Sequence, residues 1–422
     1  MTRSNPTRRS FLQSSALAGA AAISVPATAK ATAPRKPGGS GPGGNGKVTV
    51  VLFQRGGSDF LNLYAPVGDP NYAVKRPTIG LLPPGSPAGT VGLAMTPIFA
   101  MHPNMAGIHA AFTAPNSRCA VVHAVGYQPP NRSHFVSQDL YETGMMLNTT
   151  GDGWINRHLQ VTTSPTNAPV RALALSGALP RALYGAFPCY NVASTQDLVF
   201  AGSAAERQLL EAVVENTVTT GFQPTLRNAY QGGVDAFGLI DLFSPLSPTT
   251  YAPANGAVYP TSTLGKGLKE IAEVIKAGLG IEFFTVDQGG WDHHHSLVNN
   301  LAPLATDLNH SITAFFQDLG ALASEVVLVA MSEFGREVQQ NGSNGTDHGV
   351  GGAMLVMGGQ VQGGAVRGVW PTLANNALDS GRFLAASNDF RDVLREVLMN
   401  HMGGTDPNVV FPGRVYQPLG VV

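Results

Sequence analysis

The sequence contains few cysteines and few charged residues, and its basic residues do not outnumber its acidic residues. Only two of its 422 residues are cysteines, Cys119 and Cys189, and neither has a metal-binding spacing. They are either buried thiols or a disulfide formed in an oxidising compartment. Charged residues make up 13% of the chain and the formal net charge is −1. We therefore expect neither nucleic acid nor an anionic membrane surface as a partner.

Long apolar runs are also missing. None approaches the roughly 20 residues that a membrane-spanning helix needs, so no stable membrane span is expected in the mature chain. The sequence does contain 50 glycines, 30 prolines and 43% hydrophobic residues. This composition is typical of a folded, loop-rich protein with a large core, and it excludes a disordered chain.

The N-terminus carries an export motif. Arg8 and Arg9 are followed by Ser-Phe-Leu, the pattern of twin-arginine signals. An uncharged, alanine-rich stretch then ends in Ala-Thr-Ala at residues 27–29, a pattern that signal peptidases cut. We predict a signal peptide at residues 1–29, the twin-arginine translocase as a partner during export, and a periplasmic or secreted location. The alternative is a basic, disordered N-terminus.

Beyond a Gly/Pro-rich linker at residues 30–46, strand patterns alternate with helix patterns. Short apolar runs predict buried strands at residues 48–53, 119–125, 172–175, 281–286, 326–331 and 353–357. Apolar residues at three- and four-residue spacing predict helices at residues 133–144, 264–277, 301–322 and 390–402. The alternation predicts an α/β fold over residues 47–422, with a central, mostly parallel sheet flanked by helices on both faces. Residues 190–260 are interpreted as an inserted, partly helical region.

Carboxylates and histidines lie at four predicted strand ends, where ligands gather in open α/β sheets. They are Asp59, then Asp287 with Asp292 and His294, then Glu333, and finally Asp347 with His348. Carboxylate and imidazole without thiolate suit a divalent ion, and Zn, Mn, Mg and Ca all remain open. We predict one or two such ions. The alternatives are turn or cap roles for the acids, a solvated histidine loop, and an ion pair between Glu333 and Arg336.

A serine lies at the predicted start of the helix at residues 133–144. Ser133 is either a plain N-cap, a position that favours serine, or a nucleophile at a helix end that favours anions. Arg132 beside it would offset negative charge on an oxyanion. Both interpretations of Ser133 remain open from the sequence.

Taken together, five motifs resemble the bacterial family named as domain of unknown function 1501. They are RGGSD (55–59), RSHF (132–135), GGWDHH (289–294), SEFGR (332–336) and TDHG (346–349). That family is similar in turn to the alkaline phosphatase and sulfatase superfamily. The resemblance implies an alkaline phosphatase-like fold, two neighbouring divalent metals and hydrolysis of phosphate or sulfate esters in a small molecule or a polymer.

The resemblance also implies roles for single residues. Asp59 matches a metal-bridging aspartate, and Ser133 matches the nucleophile. Asp287 and Asp292 match an acidic pair, with Asp292 a direct ligand followed by His294. Glu333 matches an acidic ligand after a strand. His348 matches the last histidine ligand, with Asp347 beside it.

One motif departs from the superfamily. Where the superfamily usually has an Asp-His pair, this sequence has Glu333 and Phe334, so a histidine ligand is missing there. His295 or His134 are the candidates to replace it, and a single metal would be the consequence. The leading hypothesis is an exported, metal-dependent hydrolase with a serine nucleophile. The alternatives are a hydrolase that uses water directly, and a non-catalytic metal-binding or accessory protein on the same scaffold.

Overall fold

The computed structural model describes residues 46–146, 151–164, 168–219, 224–404 and 407–422. The predicted signal peptide, and the predicted linker up to residue 45, lie outside the described residues. The described strands are β1 (Val48–Gln54), β2 (Tyr64–Ala65), β3 (Leu93–Ala94), β4 (Ala100–Met101), β5 (Cys119–Gly126), β6 (Ala172–Leu175), β7 (Tyr190–Val192), β8 (Phe283–Gln288), β9 (Val326–Met331), β10 (Gly352–Gly358), β11 (Val366–Arg367) and β12 (Asn388–Asp389).

Helices separate most of these strands. They are α1 (Phe60–Leu63), α2 (Tyr72–Lys75), α3 (Ala106–Thr113), α4 (His134–Thr143), α5 (Trp154–Val161), α6 (Ala204–Thr219), α7 (Pro224–Phe243), α8 (Thr263–Lys276), α9 (Leu297–Leu319), α10 (Phe390–Glu396) and α11 (Pro407–Val410). The prediction of a partly helical region at residues 190–260 agrees with α6 and α7, and β7 lies at its start.

The central sheet has the strand order β11-β5-β10-β9-β1-β8-β6-β7, and β12 also pairs with β5. Strand β1 lies parallel to both β8 and β9, and β6 lies parallel to β7 and β8. Strand β10 alone is antiparallel to its neighbours β9 and β5. The predicted fold class, an α/β protein with a mostly parallel sheet, is confirmed. A small antiparallel sheet, β2-β4-β3, stands apart from it.

Both faces of the central sheet are covered. Successive residues of a strand point to opposite faces, so the continuous apolar run of β1 serves two cores. Val50 and Leu52 pack in a core with residues of α3, α8 and α9. Val51 and Phe53 pack in the other core with residues of α4, α5 and α10. This is why β1 contains no alternating polar residue, as expected for a buried parallel strand.

The two cysteines are separate and buried. Cys119 and Cys189 are both free thiols, and burial raises the pKa of each to about 12. They are therefore inert core residues, which decides between the two alternatives left open by the sequence. Within the described part of the chain, no helix is both long and apolar enough to cross a membrane.

Candidate metal and active site

Five chain segments meet at one edge of the central sheet. Strands β1, β5, β8 and β9 run in the same direction, so their carboxyl ends lie together, and antiparallel β10 contributes its amino end. The segments after β5, after β8, after β9 and before β10 carry most of the predicted site residues. Arg336 and His348 also form an isolated antiparallel bridge, which brings the last two segments side by side.

Three imidazoles point their Nε2 atoms toward the carboxylate of Asp292. Nε2 of His294 lies 2.9 Å from Asp292 Oδ1, and Nε2 of His348 lies 3.2 Å from the same oxygen. Nε2 of His134 lies 3.5 Å from Asp292 Oδ2. The Nε2 atoms of His294 and His348 are 3.1 Å apart. Among the described residues, His134, Asp292 and His348 also satisfy the geometry of a three-ligand metal group.

The other ring nitrogen of each imidazole has an acceptor. His134 Nδ1 lies 3.0 Å from Glu333 Oε1, and His294 Nδ1 lies 2.9 Å from Asp347 Oδ1. His348 Nδ1 lies 2.9 Å from the carbonyl oxygen of Arg132. A proton held on Nδ1 leaves the lone pair of Nε2 free, which is how histidines are oriented for metal binding.

These donors fit a divalent ion. With metal–nitrogen bonds of about 2.0–2.1 Å, tetrahedral ligands lie roughly 3.3 Å apart. The distances from the three Nε2 atoms to Asp292 are 2.9, 3.2 and 3.5 Å. Imidazole and carboxylate donors without a thiolate match zinc and similar ions. His134 was not predicted from the sequence as a principal ligand. It was considered only as a replacement for the missing histidine.

A buried arginine holds Asp292. Arg336 is fully buried, and its Nη2 donates to Asp292 Oδ1 at 2.5 Å. Burial acts to raise the pKa of Asp292, but the charge and hydrogen bond of Arg336, together with His294 and His348, bring it below its ordinary value. Asp292 is therefore anionic at neutral pH. The ion pair considered from the sequence joined Arg336 to Glu333, whereas the structure pairs Arg336 with Asp292.

Glu333 orients the imidazole of His134 by a hydrogen bond. Its Oε1 accepts hydrogen bonds from Gly56 N at 2.8 Å and Gln138 Nε2 at 2.9 Å, besides its contact with His134. Burial acts to raise the pKa of Glu333, and these hydrogen bonds outweigh it and lower the pKa below its ordinary value. The neighbouring Phe334 packs against the His134 and His348 rings, with centroids 5.0 and 4.8 Å away.

Two of the predicted metal ligands have other charged partners. Asp59 is completely buried, and its Oδ1 pairs with Arg76 Nη1 at 2.7 Å. Its Oδ2 accepts from Thr346 Oγ1 at 2.9 Å. Asp287 pairs with Arg55 Nη2 at 3.1 Å. Arg76 thus offsets the charge of Asp59, whereas Arg55 is shared between Asp287 and the buried Glu142, which lies closer to it. Neither arginine was predicted from the sequence to pair with these carboxylates, although Arg55 lies in the RGGSD motif.

Ser133 is the N-cap residue of α4 but does not cap it through its side chain. The hydroxyl makes no capping hydrogen bond, and the residue is exposed. Its backbone N–H donates instead to Asn131 Oδ1 at 2.8 Å. Arg132 is also exposed, and its guanidinium lies 4.3 Å from the Phe383 ring centroid. Since the Arg132 carbonyl holds His348, this loop is tied directly to the histidine cluster.

Gly345 lies too close to the neighbouring backbone to carry a side chain. A Cβ atom on Gly345 would lie 2.2 Å from the backbone carbon of His294. A side chain at residue 345 would therefore push the loop of Asp347 and His348 away from His294.

Comparison with known proteins supports the family resemblance. The family model described as "Protein of unknown function (DUF1501)" matches residues 249–408, and the resemblance is confirmed over that segment. It contains Asp292, His294, Glu333 and His348 but not Ser133 or His134. No curated protein sequence matches the chain.

Distantly similar solved structures include two with low identity to this chain. One is the C-terminal periplasmic domain of EcEptC from Escherichia coli in complex with Zn, at 11% identity and a TM-score of 0.35, covering 79% of this chain and 77% of that one. The other is the alkaline phosphatase from the Antarctic bacterium TAB5, at 10% identity and a TM-score of 0.30, covering 74% and 92%. No residue role follows from similarities this distant.

Proposed function

We propose that this protein is an exported, metal-dependent hydrolase of phosphate or sulfate esters that holds one divalent ion. The observation that carries the proposal is the convergence of three imidazole Nε2 atoms on Asp292, with each Nδ1 atom held by an acceptor. The ligands we propose are His134, Asp292, His294 and His348. The twin-arginine motif supports the periplasmic or secreted location.

A single ion is favoured because, of the predicted acidic ligands, Asp292 alone faces the imidazole Nε2 atoms, although Arg336 also pairs with it. Arg76 and Arg55 pair with Asp59 and Asp287, the residues that the family resemblance assigns to further metal binding. Glu333 and Asp347 hold histidines through Nδ1, which is the task of residues that orient ligands. Of the predicted acidic ligands, this leaves Asp292 facing the imidazole Nε2 atoms.

The residues around the ligands suit ester hydrolysis. A bound divalent ion would supply Lewis acidity at a phosphoryl or sulfuryl oxygen. Ser133 offers an exposed hydroxyl, free of a capping bond, as the nucleophile. The start of α4, a ten-residue helix, presents backbone N–H groups and a positive dipole end that favour an anion. Arg132 adds a positive charge on the same loop.

The first test is the metal content of the exported, cleaved protein, purified without chelator and measured by elemental mass spectrometry. We expect about one equivalent of a divalent transition metal per chain. Asp292→Ala and His348→Ala should lose the metal and any esterase activity together. His295→Ala is the matched control, since this exposed neighbour makes no contact with Asp292 among the described residues. Full metal content in both ligand variants would refute the site, and two equivalents would refute the single-ion proposal.

Ser133→Ala separates the catalytic routes. If Ser133 is the nucleophile, the variant should keep its metal and lose ester hydrolysis by roughly a thousandfold or more, as for other nucleophile deletions. Retained turnover would mean that water attacks directly. A wild-type protein that binds one metal but hydrolyses no phosphate or sulfate monoester would favour the non-catalytic alternative. The replacement of a histidine by Phe334 is the observation that supports this alternative.

A further inference from the structure

The first two residues of the RGGSD motif reach the acceptor of His134 by two routes. Gly56 N donates directly to Glu333 Oε1 at 2.8 Å. Arg55 Nη1 lies 3.4 Å from Gln138 Oε1, and Gln138 Nε2 lies 2.9 Å from that same Glu333 oxygen. The motif therefore contacts the proposed site through residues other than its aspartate.

One face of α4 carries the polar side chains that meet Arg55 and Glu333. His134, Gln138 and Glu142 follow one another at four-residue spacing, so they lie side by side along the helix. His134 Nδ1 and Gln138 Nε2 lie 3.0 and 2.9 Å from Glu333 Oε1. Glu142 Oε1 pairs with Arg55 Nη1. Gln138, in the middle of this face, is thus the residue that contacts both Arg55 and Glu333.

The partners of Gln138 determine which way its amide points. An arginine only donates hydrogen bonds, and an ionised carboxylate only accepts them. The amide oxygen must therefore face Arg55 and the amide nitrogen must face Glu333, which is the arrangement in the structure. Arg55 is itself held, because its Nη2 lies 3.1 Å from Asp287 Oδ1 and its Cζ lies 4.0 Å from the centroid of the Phe53 ring. A fixed cation thus fixes the amide that donates to Glu333.

We infer that Gln138 is a positioning residue for the metal ligand His134, and that Arg55 orients Gln138. The hydrogen bond from Gln138 holds the buried Glu333 Oε1 in place as the acceptor of His134 Nδ1. Nε2 of the same imidazole then faces Asp292. This inference rests on the proposed function, because it concerns a ligand of the proposed ion. It assigns to the start of the RGGSD motif the task of orienting a metal ligand.

The Gln138→Met variant tests this role without changing the charge of the site. Methionine has a similar length but cannot donate to Glu333. We expect the dissociation constant for Zn, measured by competition with a chromogenic chelator, to rise about three- to tenfold, less than for a direct partner of a ligand. Gln160→Met is the matched control, because Gln160 is another helical glutamine that donates to a carboxylate, that of Asp152, at 2.6 Å. It should leave the constant unchanged.

A spectrum distinguishes a displaced ligand from a merely less stable protein. With Co(II) in place of Zn, a changed imidazole ligand alters the visible absorption of the ion. We expect Gln138→Met to alter this absorption and Gln160→Met to retain it. If Gln138→Met has the Zn constant and the Co(II) spectrum of the wild type, Gln138 does not position His134, although the proposed function stands. If the wild-type protein binds neither Zn nor Co(II), the proposed function fails and the inference fails with it.

Arg55→Lys tests the part assigned to Arg55. Lysine retains a positive charge beside Glu142 and Asp287 but lacks the guanidinium fork that also reaches Gln138. We expect the Zn constant to rise in this variant, with no further rise when Arg55→Lys is combined with Gln138→Met. Effects that multiply in the double variant would overturn this part of the inference, because Arg55 would then act independently of Gln138.

Discussion

Asp59 and Arg76 form an ion pair in which neither side chain is exposed. Arg76 also donates to Asn62 Oδ1 at 2.8 Å and to the carbonyl oxygens of Val338 and Glu337. A buried charge is tolerated when its partners are this complete. Through these carbonyl bonds Arg76 connects the segment after β1 to the segment after β9. A metal-binding role for Asp59 would require this pair to open.

Removing Arg76 should be costly. Arg76→Met leaves the Asp59 carboxylate buried without its cation, and we expect the free energy of unfolding to fall by about 3–5 kcal/mol. Denaturant unfolding of the purified variant measures this. Arg382→Met is the matched control, because Arg382 is 60% exposed in its ion pair with Glu337, and its loss should lower the free energy of unfolding far less. Equal losses in the two variants would show that Asp59 has another cation.

At the scale of elements, α4 is positioned by Glu333 more than by apolar packing at its start. The first turn carries an exposed Phe135 and an exposed Ser133, and Glu333 accepts from both His134 and Gln138. One carboxylate therefore orients a proposed metal ligand and fixes the helix that carries the proposed nucleophile. Mutation of such supporting residues typically lowers metal affinity about 10- to 100-fold.

Glu333→Gln tests this arrangement with little change of shape. The neutral amide is a weaker acceptor for His134 Nδ1, so the dissociation constant for Zn should rise about 10- to 100-fold, as measured by competition with a chromogenic chelator. Glu325→Gln, which removes an exposed partner of Lys47, should leave the Zn affinity unchanged. A Glu333→Gln variant with wild-type affinity would show that His134 needs no charged acceptor on Nδ1.

Elements with strong local patterns were predictable from the sequence. The runs that predicted strands at residues 172–175 and 326–331 agree with β6 and β9. Strand β8 begins two residues later than predicted, and Glu282, just before it, forms a buried ion pair with Arg171. Strands of two residues, such as β11 and β12, contain too few residues for a pattern. The direction of β10 depends on its pairing with distant strands, which an apolar run does not encode.

The candidate site was predictable in part for the same reason. Asp292, His294 and His348 were identified because they follow or precede predicted strands. The partners of the site residues come from segments far away in the chain. Arg336 is the partner of Asp292, and Glu333 is the partner of His134. Which carboxylate faces an arginine and which faces a histidine is decided by packing between segments. Spacing along the chain carries no information about that choice.

For the molecule as a whole, metal binding and stability should be linked. The proposed ligands come from segments after β5, after β8 and before β10, so the folded chain is needed to assemble them. At a Zn concentration 100 times its dissociation constant, the folded state should gain about 2.7 kcal/mol. Thermal unfolding with and without Zn at pH 7.5 measures this increment. Asp292→Ala should show none, and an equal increment in that variant would place the ion elsewhere.

Acid should reduce both the metal increment and the intrinsic stability. Protons compete with Zn for imidazole nitrogens near pH 6.5, but burial lowers the pKa of His348, so this ligand stays neutral at lower pH. The pKa values of Glu333 and Asp292 are also lowered. Each contributes stability above its unfolded pKa that is lost as pH falls through its folded pKa. We therefore expect the melting temperature to fall in two stages between pH 7.5 and 3. The first fall should occur only in the presence of Zn, and the second should occur both with and without Zn.

The central position of β1 has a consequence for synthesis. This strand is the first of the sheet to leave the ribosome, yet both of its neighbours, β8 and β9, are made later, beginning roughly 230 residues downstream. At about 5–20 residues per second the nascent strand waits on the order of ten to fifty seconds for its first partner. During that interval its apolar residues and backbone N–H and C=O groups are open to pairing with other chains. We therefore expect the unfinished chain to be more prone to association with other chains than the completed protein.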